Sequence, residues 1–343
     1  MANILLTTKC NRACPYCFAR QEMSDSPSDS LLSWENLIYI ADFLQASGER
    51  QVSLLGGEPT LHPECVDFIL YLLDRNFQVM VFTNGMLDPA RLEELKGHLT
   101  EVNPERLTFT CNLNDPEQTP ASAEETTKIH NFLSVMGPWT MPGFNIYRLD
   151  FRLDFLFDAI NRYGMKRHVR LGICHPVPWQ RTGFIRMEDM RQVVQRIYAY
   201  RPQFDALRVS PGLDCGFPLC QFSDEELGWL HRHRGLIQFG CGPAVDIAPD
   251  MNVYYCFPLS RYRRKSLFEF DSLAQVDDHL LKIRHEFKAE IPGVYDDCDG
   301  CRHLEDGLCA GGGLCRVVNL FVDEAPIRLP EIEHELAKNR LSS

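Results

Sequence analysis

Six times over about the first 200 residues a short apolar run is followed by a longer amphipathic one, and this alternation limits the fold more than any other feature. "NILLTT" (3–8) reads as a buried strand, and "SWENLIYIADFLQASG" (33–48) as a helix with Ser33 as its N-cap and Gly48 beyond its end. "QVSLL" (51–55) is the next strand, "PECVDFILYLLDRN" (63–76) the next helix, and "QVMVFTNG" (78–85) a third strand ending in a turn. The period continues with a helix in "LDPARLEELKGHL", a strand in "RLTFTCNLN" (106–114) and a helix in "SAEETTKIHNFLSVM". A strand in "FNIYRL" (144–149), a helix in "LDFLFDAINRYG" and a sixth strand in "HVRLGICHP" (168–176) complete it. Such units predict an α/β fold, an open or partial (β/α)6 barrel with its chemistry at the strand C-terminal ends. After a helix around 185–201 the alternation fades and glycine and cysteine rise, so a boundary is expected near residue 205. The expected organisation is a barrel over 1–205, a small cysteine-rich α+β unit over 206–325, and a terminal helix or tail over 326–343.

"CNRACPYCF" (10–18) places three of the fourteen cysteines directly behind the first strand. What those thiols do depends on where the chain resides. No stretch approaches the roughly 18 uninterrupted apolar residues of a membrane span, and no basic, apolar and small-residue secretory pattern opens the chain. The expectation is a cytoplasmic protein without a membrane partner, where cysteines serve metal or catalysis rather than disulfides. A net charge of −12 also weighs against nucleic acid, whose binders usually carry a basic face. "RYRRK" (261–265) is the one basic cluster noted, either a phosphate or carboxylate contact or a solvated loop.

Cys10, Cys14 and Cys17 have the spacing C-x3-C-x2-C. A structural zinc wants four protein ligands, so a zinc knuckle needs a distant fourth residue. A four-iron cubane held by three thiolates instead leaves one iron open for an exogenous ligand. "GGEPT" (56–60) falls at the end of the second strand, on the same rim. Gly56 and Gly57 let the backbone approach a ligand closely, Glu58 offers a carboxylate to an ammonium group, and Pro59 fixes the exit.

The triplet followed by an aromatic residue, Phe18 after Tyr16, with Gly-Gly-Glu one β/α unit later, resembles the radical S-adenosylmethionine (radical SAM) superfamily. The resemblance implies a [4Fe–4S] cluster on Cys10, Cys14 and Cys17 whose open iron binds the amino and carboxylate groups of S-adenosylmethionine. Gly56, Gly57 and Glu58 would then meet the methionyl ammonium. One electron would cleave the sulfonium to methionine and a 5′-deoxyadenosyl radical that abstracts hydrogen from substrate. Thr83 and Asn84 in "TNG" correspond to the segment near the methionyl carboxylate, Asn112 to a ribose contact, and Leu171 to Cys174 to the wall beside the adenine; each also reads as an ordinary strand or turn residue.

Cys215, Cys220, Cys241, Cys256, Cys298, Cys301, Cys309 and Cys315 follow the barrel. The order C-x14-C, a gap, then C-x2-C-x7-C-x5-C with "AGGG" before the last cysteine resembles the SPASM extension of radical SAM enzymes, which carries two auxiliary [4Fe–4S] clusters. The smaller twitch extension carries one. "VDIAPDMNVYYC" fits the hairpin expected between the first pair, with Asn252 in the left-handed turn position. The pattern departs from SPASM because no cysteine follows Cys315. Cys215 or Cys220 would replace the missing ligand, giving two clusters, or Cys241, Cys256, Cys298 and Cys301 would bind one; zinc ribbons are the remaining alternative.

Cys65 reads as a core residue, while Cys111 and Cys174 on barrel strands are either core or cavity-facing thiols able to return a hydrogen atom to a substrate radical. The resemblance implies a residue of a ribosomally made precursor peptide as substrate, crosslinked, oxidised or epimerised, with a small molecule such as a sugar as the alternative. The first strand begins within three residues, without the recognition module of many peptide maturases, so a separate recognition protein is one expected partner. An electron donor such as flavodoxin or ferredoxin is another. A non-enzymatic metal scaffold is the reading from a different class.

Overall fold

The computed structural model describes residues 2–20, 23, 30–177, 182–233 and 239–321. Seven strands pair in parallel and in sequence order: β1 (Ala2–Thr7), β2 (Gln51–Gly56), β3 (Gln78–Thr83), β4 (Leu107–Asn112), β5 (Thr140–Ile146), β6 (His168–Ile173) and β7 (Ser210–Leu213). Helices α1 (Trp34–Ala46), α2 (Cys65–Asp74), α3 (Pro89–Leu99), α4 (Ala123–Met136) and α5 (Asp154–Tyr163) connect the first six, and α6 (Met190–Ala199) with α7 (Arg201–Leu207) leads to the seventh. The Ser33 hydroxyl caps α1 by accepting from the Asn36 N–H, as its sequence predicts.

Alternation along the strands decides what each face does. Ile4, Leu6, Val52, Leu54, Val79, Val81, Phe109 and Leu171 pack with helical residues such as Leu37, Ile40, Phe68 and Phe132 into one core. Burying each such side chain contributes about 1.5–3 kcal/mol, which fixes the register and leaves the other face free for polar groups. On that inner face the Arg170 guanidinium of β6 lies 5.3 Å from the Phe82 ring centroid of β3. Two strands separate β3 from β6, so the contact requires a sheet curled into a partial barrel.

Four features depart from the sequence reading. β7, "SPGL", is a seventh parallel strand hidden by Pro211 and Gly212. β5 starts at Thr140 rather than 144 and ends at Ile146; Pro142 is tolerated because pairing with β6 begins only at Gly143. The cysteine-rich half also continues the barrel sheet: β8 (Asp246–Ile247) pairs in parallel with β1, β9 (Asn252–Tyr254) antiparallel with β8, and β10 (Lys265–Ser266) antiparallel with β9. In the β8–β9 turn the left-handed residue is Met251 (φ 65°), not Asn252. Asn252 already opens β9, and its N–H and side-chain amide both donate to the Asp250 carboxylate, at 3.1 and 2.8 Å.

Helix α8 (Asp224–Arg232) precedes the hairpin and α9 (Leu273–Glu290) follows it. The expected helix over 326–343 lies outside the described residues. Within "RYRRK", Arg263 pairs with Glu286 at 2.6 Å and Arg264 lies over the Tyr254 ring at 5.1 Å.

Candidate functional site

The cysteine loop leaves β1 alongside the end of β2, held by Gly57 N–H to Thr7 O (2.9 Å) and Glu58 N–H to Lys9 O (2.7 Å). A Cβ on Gly56 would sit 2.3 Å from Thr7 O, and one on Gly57 2.1 Å from Lys9 O and 2.9 Å from Cys10 N. The close approach that requires these glycines is to the chain's own backbone, at the root of the triplet loop. Glu58 is fully buried: Oε1 accepts from the Thr60 N–H (3.2 Å), the Thr60 hydroxyl (2.8 Å) and the Thr83 hydroxyl (2.8 Å), and Oε2 from the Asn84 N–H (2.7 Å). Burial pushes its pKa up against those bonds. Glu58 therefore braces β2 to β3, and only Oε2 keeps an acceptor position for a ligand. Pro59 opens the short 3-10 turn that follows, and the Asn84 side chain donates to Asn11 Oδ1 at 2.8 Å, with Cys10 Sγ at 3.9 Å.

Further along, the loop crosses the barrel mouth. Arg12, nearly buried, donates to Asn112 O (2.9 Å) and pairs with Glu125 of α4 (2.6 Å). The Tyr16 hydroxyl donates to Asn114 Oδ1 (2.7 Å) while its ring meets Tyr147 beyond β5 (5.0 Å between centroids). Phe18 packs on Phe257 behind the hairpin, at 6.0 Å. The Cys17 N–H closes a turn on Cys14 O at 3.2 Å. Desolvation raises all three thiols, Cys10 to about 11; for Cys10 the Arg12 backbone N–H opposes the rise, and negative charge on Glu58, Cys14 and Cys17 adds to it. Three thiols on one loop, protonated in the bare protein, suit a group that binds thiolates and releases their protons. Among the described residues no three His, Cys, Asp or Glu side chains converge on a point where one ion could bind. A cubane spreads its thiolates over separate irons instead. Two buried acceptors of β4, Thr110 Oγ1 and Asn112 Oδ1, lack partners, which fits a polar ligand in the barrel mouth.

The other expected site residues divide. Cys111 is fully buried on the helix-facing side with Phe109 and Phe132, at about pKa 12 through desolvation, so it does not face the cavity. Leu171 is likewise a core side chain; Gly172 is the residue of that stretch on the inner face. Cys174, buried beyond β6, lies within electrostatic reach of Cys14 and Cys17. Cys65 is a core residue, as expected. Unanticipated in the sequence, Arg170 pairs with Asp214, and Gly143, Gly172 and Gly212 leave room on the inner face for Asn112, Asn145 and His168, each of which a Cβ there would strike at 2.5–2.9 Å. The alternate glycines on neighbouring strands were the available signal.

Seven of the eight later cysteines group by electrostatic reach. Burial raises Cys215 first, then Asp214, and then thiolate charge at Cys241 and Cys315; Cys256 feels Cys315, Cys241 and Cys215 in the same way. Cys220 instead feels Cys309 and Cys298, and Cys301 follows Cys298 by one turn, its N–H donating to Cys298 O at 3.3 Å. Cys215, Cys241, Cys256 and Cys315 thus act on one another electrostatically, as Cys298 and Cys309 do on Cys220, and Cys301 stands beside Cys298 along the chain. Backbone N–H groups serve both: Leu314 donates to Cys241 Sγ (3.3 Å), and Gly311 and Leu219 to Cys309 Sγ (3.3 and 3.5 Å). Sulfurs accepting N–H bonds fit iron–sulfur ligands, whose charge such bonds stabilise. A His175 ring nitrogen lies 3.9 Å from Cys215 Sγ.

The family model of the radical SAM superfamily matches residues 4–118, from β1 through β4 and so across both motifs. Residues 4–118 form a radical SAM domain. An S-adenosylmethionine-dependent nucleotide dehydratase of Selenomonas ruminantium is 34% identical over 128 residues, which are 34% of this chain and 44% of that protein. The match therefore spans less than half of that relative. Beyond the radical SAM domain the likeness is one of fold. Streptococcus suis SuiB, solved bound to S-adenosylmethionine, superposes with a TM-score of 0.66 at 14% identity over 94% of this chain and 74% of its own. AnSMEcpe, also solved with bound AdoMet, gives 0.64 at 12% identity over 98% and 100% of the two chains. No described helix is long and apolar enough to cross a membrane.

Proposed function

We propose that this chain is a radical SAM enzyme of the SPASM type, carrying one cluster on Cys10, Cys14 and Cys17 and two auxiliary clusters on the two cysteine quartets. The division of the eight cysteines into two sets of four carries this reading, with Cys220 standing in for the ligand expected after Cys315. When bound, the first cluster supplies the electron that cleaves S-adenosylmethionine, so that the adenosyl fragment takes a hydrogen atom from substrate. The protein's part is positioning. Glu58 Oε2 and the Thr83–Asn84 segment face the methionyl end, the unpaired Asn112 Oδ1 takes a ribose hydroxyl, and the backbone of 172–174 lies beside the base. Tyr16, Tyr147 and Phe18 limit water at the mouth. Cys174, within electrostatic reach of Cys14 and Cys17, is the thiol proposed to return a hydrogen atom in place of Cys111, which lies in the core.

A precursor peptide is the first substrate class proposed. It rests on the fold shared with SuiB, which is also solved bound to its precursor peptide SuiA. A small polar molecule is the second reading, favoured by the inner face, where Arg170 with Asp214 and Asn145 stand above glycine-opened space. Anaerobic reconstitution tests the proposal: about twelve irons and twelve sulfides per chain, four of each per cubane, and 5′-deoxyadenosine formation with dithionite that Cys14→Ala abolishes. Zinc in place of iron, or no 5′-deoxyadenosine, overturns it. Stimulation of that reaction by the peptide fraction of a cell extract, against its low-molecular-mass ultrafiltrate, separates the two substrate classes.

A further inference from the structure

Arg316 is 0% exposed, and among the described residues no carboxylate pairs with it. Its Nη1 donates to Ile185 O at 2.5 Å and its Nη2 to Cys174 O at 3.2 Å, while Nε has no partner. Two neutral carbonyls are a poor return for burying a guanidinium, whose effective desolvation cost is several kcal/mol and is ordinarily recovered from a nearby anion. The described residues provide none. Three cysteines are near this cation: Cys315 is its chain neighbour, Cys174 holds its Nη2 through the carbonyl, and Cys215, like Tyr295, is within electrostatic reach. Cys174 in turn lies within electrostatic reach of Cys14 and Cys17.

We infer that Arg316 is the built-in counter-ion of the auxiliary cluster held by Cys215, Cys241, Cys256 and Cys315, and that it sets that cluster's reduction potential. The inference rests on the two-quartet reading above. A cubane with four thiolates carries net negative charge and gains another on reduction, so an adjacent fixed cation favours the reduced form and raises the potential. Arg316 is a positioning residue here, since it touches neither substrate nor reacting atoms.

The test uses the full chain, reconstituted anaerobically, with Arg316→Met removing the charge and Arg316→Lys keeping it. In an EPR-monitored potentiometric titration, Arg316→Met is expected to shift one auxiliary signal to lower potential by a factor of ten or more in the reduced-to-oxidised ratio, about 59 mV for one electron. Arg316→Lys should recover most of the shift. In iron-free protein the sign reverses: Arg316→Met unfolds at a higher temperature than wild type, because an uncompensated buried charge has gone. If Arg316→Met does not accumulate, Arg316→Gln against Arg316→Lys makes the same comparison. Unchanged potentials in a variant with full iron content overturn the inference and leave the two-quartet reading intact. Wild-type protein that binds only the four irons of a single cluster overturns both.

Discussion

The Asn84 backbone N–H donates to Glu58 Oε2 at 2.7 Å, fastening the end of β3 to the end of β2 directly beneath the cysteine loop. Because Glu58 also takes the Thr60 and Thr83 bonds, Glu58→Ala strands several buried donors at once. Each unsatisfied group costs about 1–3 kcal/mol, and a total loss of about 3 kcal/mol is expected after local relaxation. Glu58→Gln keeps one acceptor oxygen and should lose about half as much. Denaturant unfolding of the iron-free protein measures both, and a Glu58→Ala midpoint at the wild-type value would show that the brace carries no stability.

Gly57→Ala attacks the same corner sterically. Its Cβ would lie 2.1 Å from Lys9 O, with backbone on both sides, so the loop start must shift rather than a side chain. The expected result is loss of about four irons per chain with the other clusters retained, together with loss of S-adenosylmethionine cleavage. Gly97→Ala is the control, because nothing lies within 4 Å of a Cβ there and the site is inside α3. It should be neutral or stabilise by up to about 1 kcal/mol. Full iron content in Gly57→Ala would remove the steric account.

How far the sequence discloses this arrangement depends on how local the determinants are. Strands such as Gln78–Thr83 announce themselves by their own β-branched and aromatic residues, and helices such as Trp34–Ala46 by periodicity and a serine cap. Ser210–Leu213 does not, because Pro211 and Gly212 erase its composition and pairing with β6 alone makes it a strand. The triplet and Gly-Gly-Glu are legible as chemistry, but not the reason for both glycines, which depends on Thr7 and Lys9, some fifty residues earlier. Cys215 and Cys220 are only five residues apart yet feel different cysteines, with Gly216 in a left-handed conformation (φ 100°) between them and Cys220 inside the 3-10 turn Leu219–Gln221. Spacing cannot foretell that division. Arg316 is equally silent, since nothing in "GGGLCR" announces its burial.

Double substitution tests the division of the cysteines. If Cys220 and Cys309 ligate one cluster, Cys220→Ala and Cys309→Ala each remove about four irons, and the pair removes no more than either alone. Cys220→Ala with Cys256→Ala should instead remove about eight, because the two losses fall on separate clusters. Iron and sulfide counts on these four variants, on Cys256→Ala and on the wild type suffice. Equal losses in Cys256→Ala and in Cys220→Ala with Cys256→Ala would return the chain to a single auxiliary cluster.

Asp246 joins the cysteine-rich half to the barrel and has a pH signature of its own. It lies on β8, paired with β1, is 3% exposed, and accepts from Asn3 Nδ2 at 2.6 Å. Burial pushes its carboxyl up to about 7, against the bonds from Asn3 and from the Phe257 N–H. The unfolded chain releases this proton near pH 4, so between about 4 and 7 the native state holds a proton that the unfolded state has lost. The group's contribution is therefore full below about pH 4 and is lost as pH rises through about 7. Asp246→Asn removes the titration while keeping the shape, with the Asn3 amide turned so that its oxygen takes the new N–H. It is expected to unfold at a higher temperature than wild type at pH 8, by the equivalent of a few kcal/mol at most, and at no higher temperature at pH 4. The gain should disappear progressively between those limits in the iron-free protein, where no ligand thiolates add a pH dependence of metal loading. A difference between variant and wild type that does not change with pH would assign Asp246 a packing role instead of a titrating one.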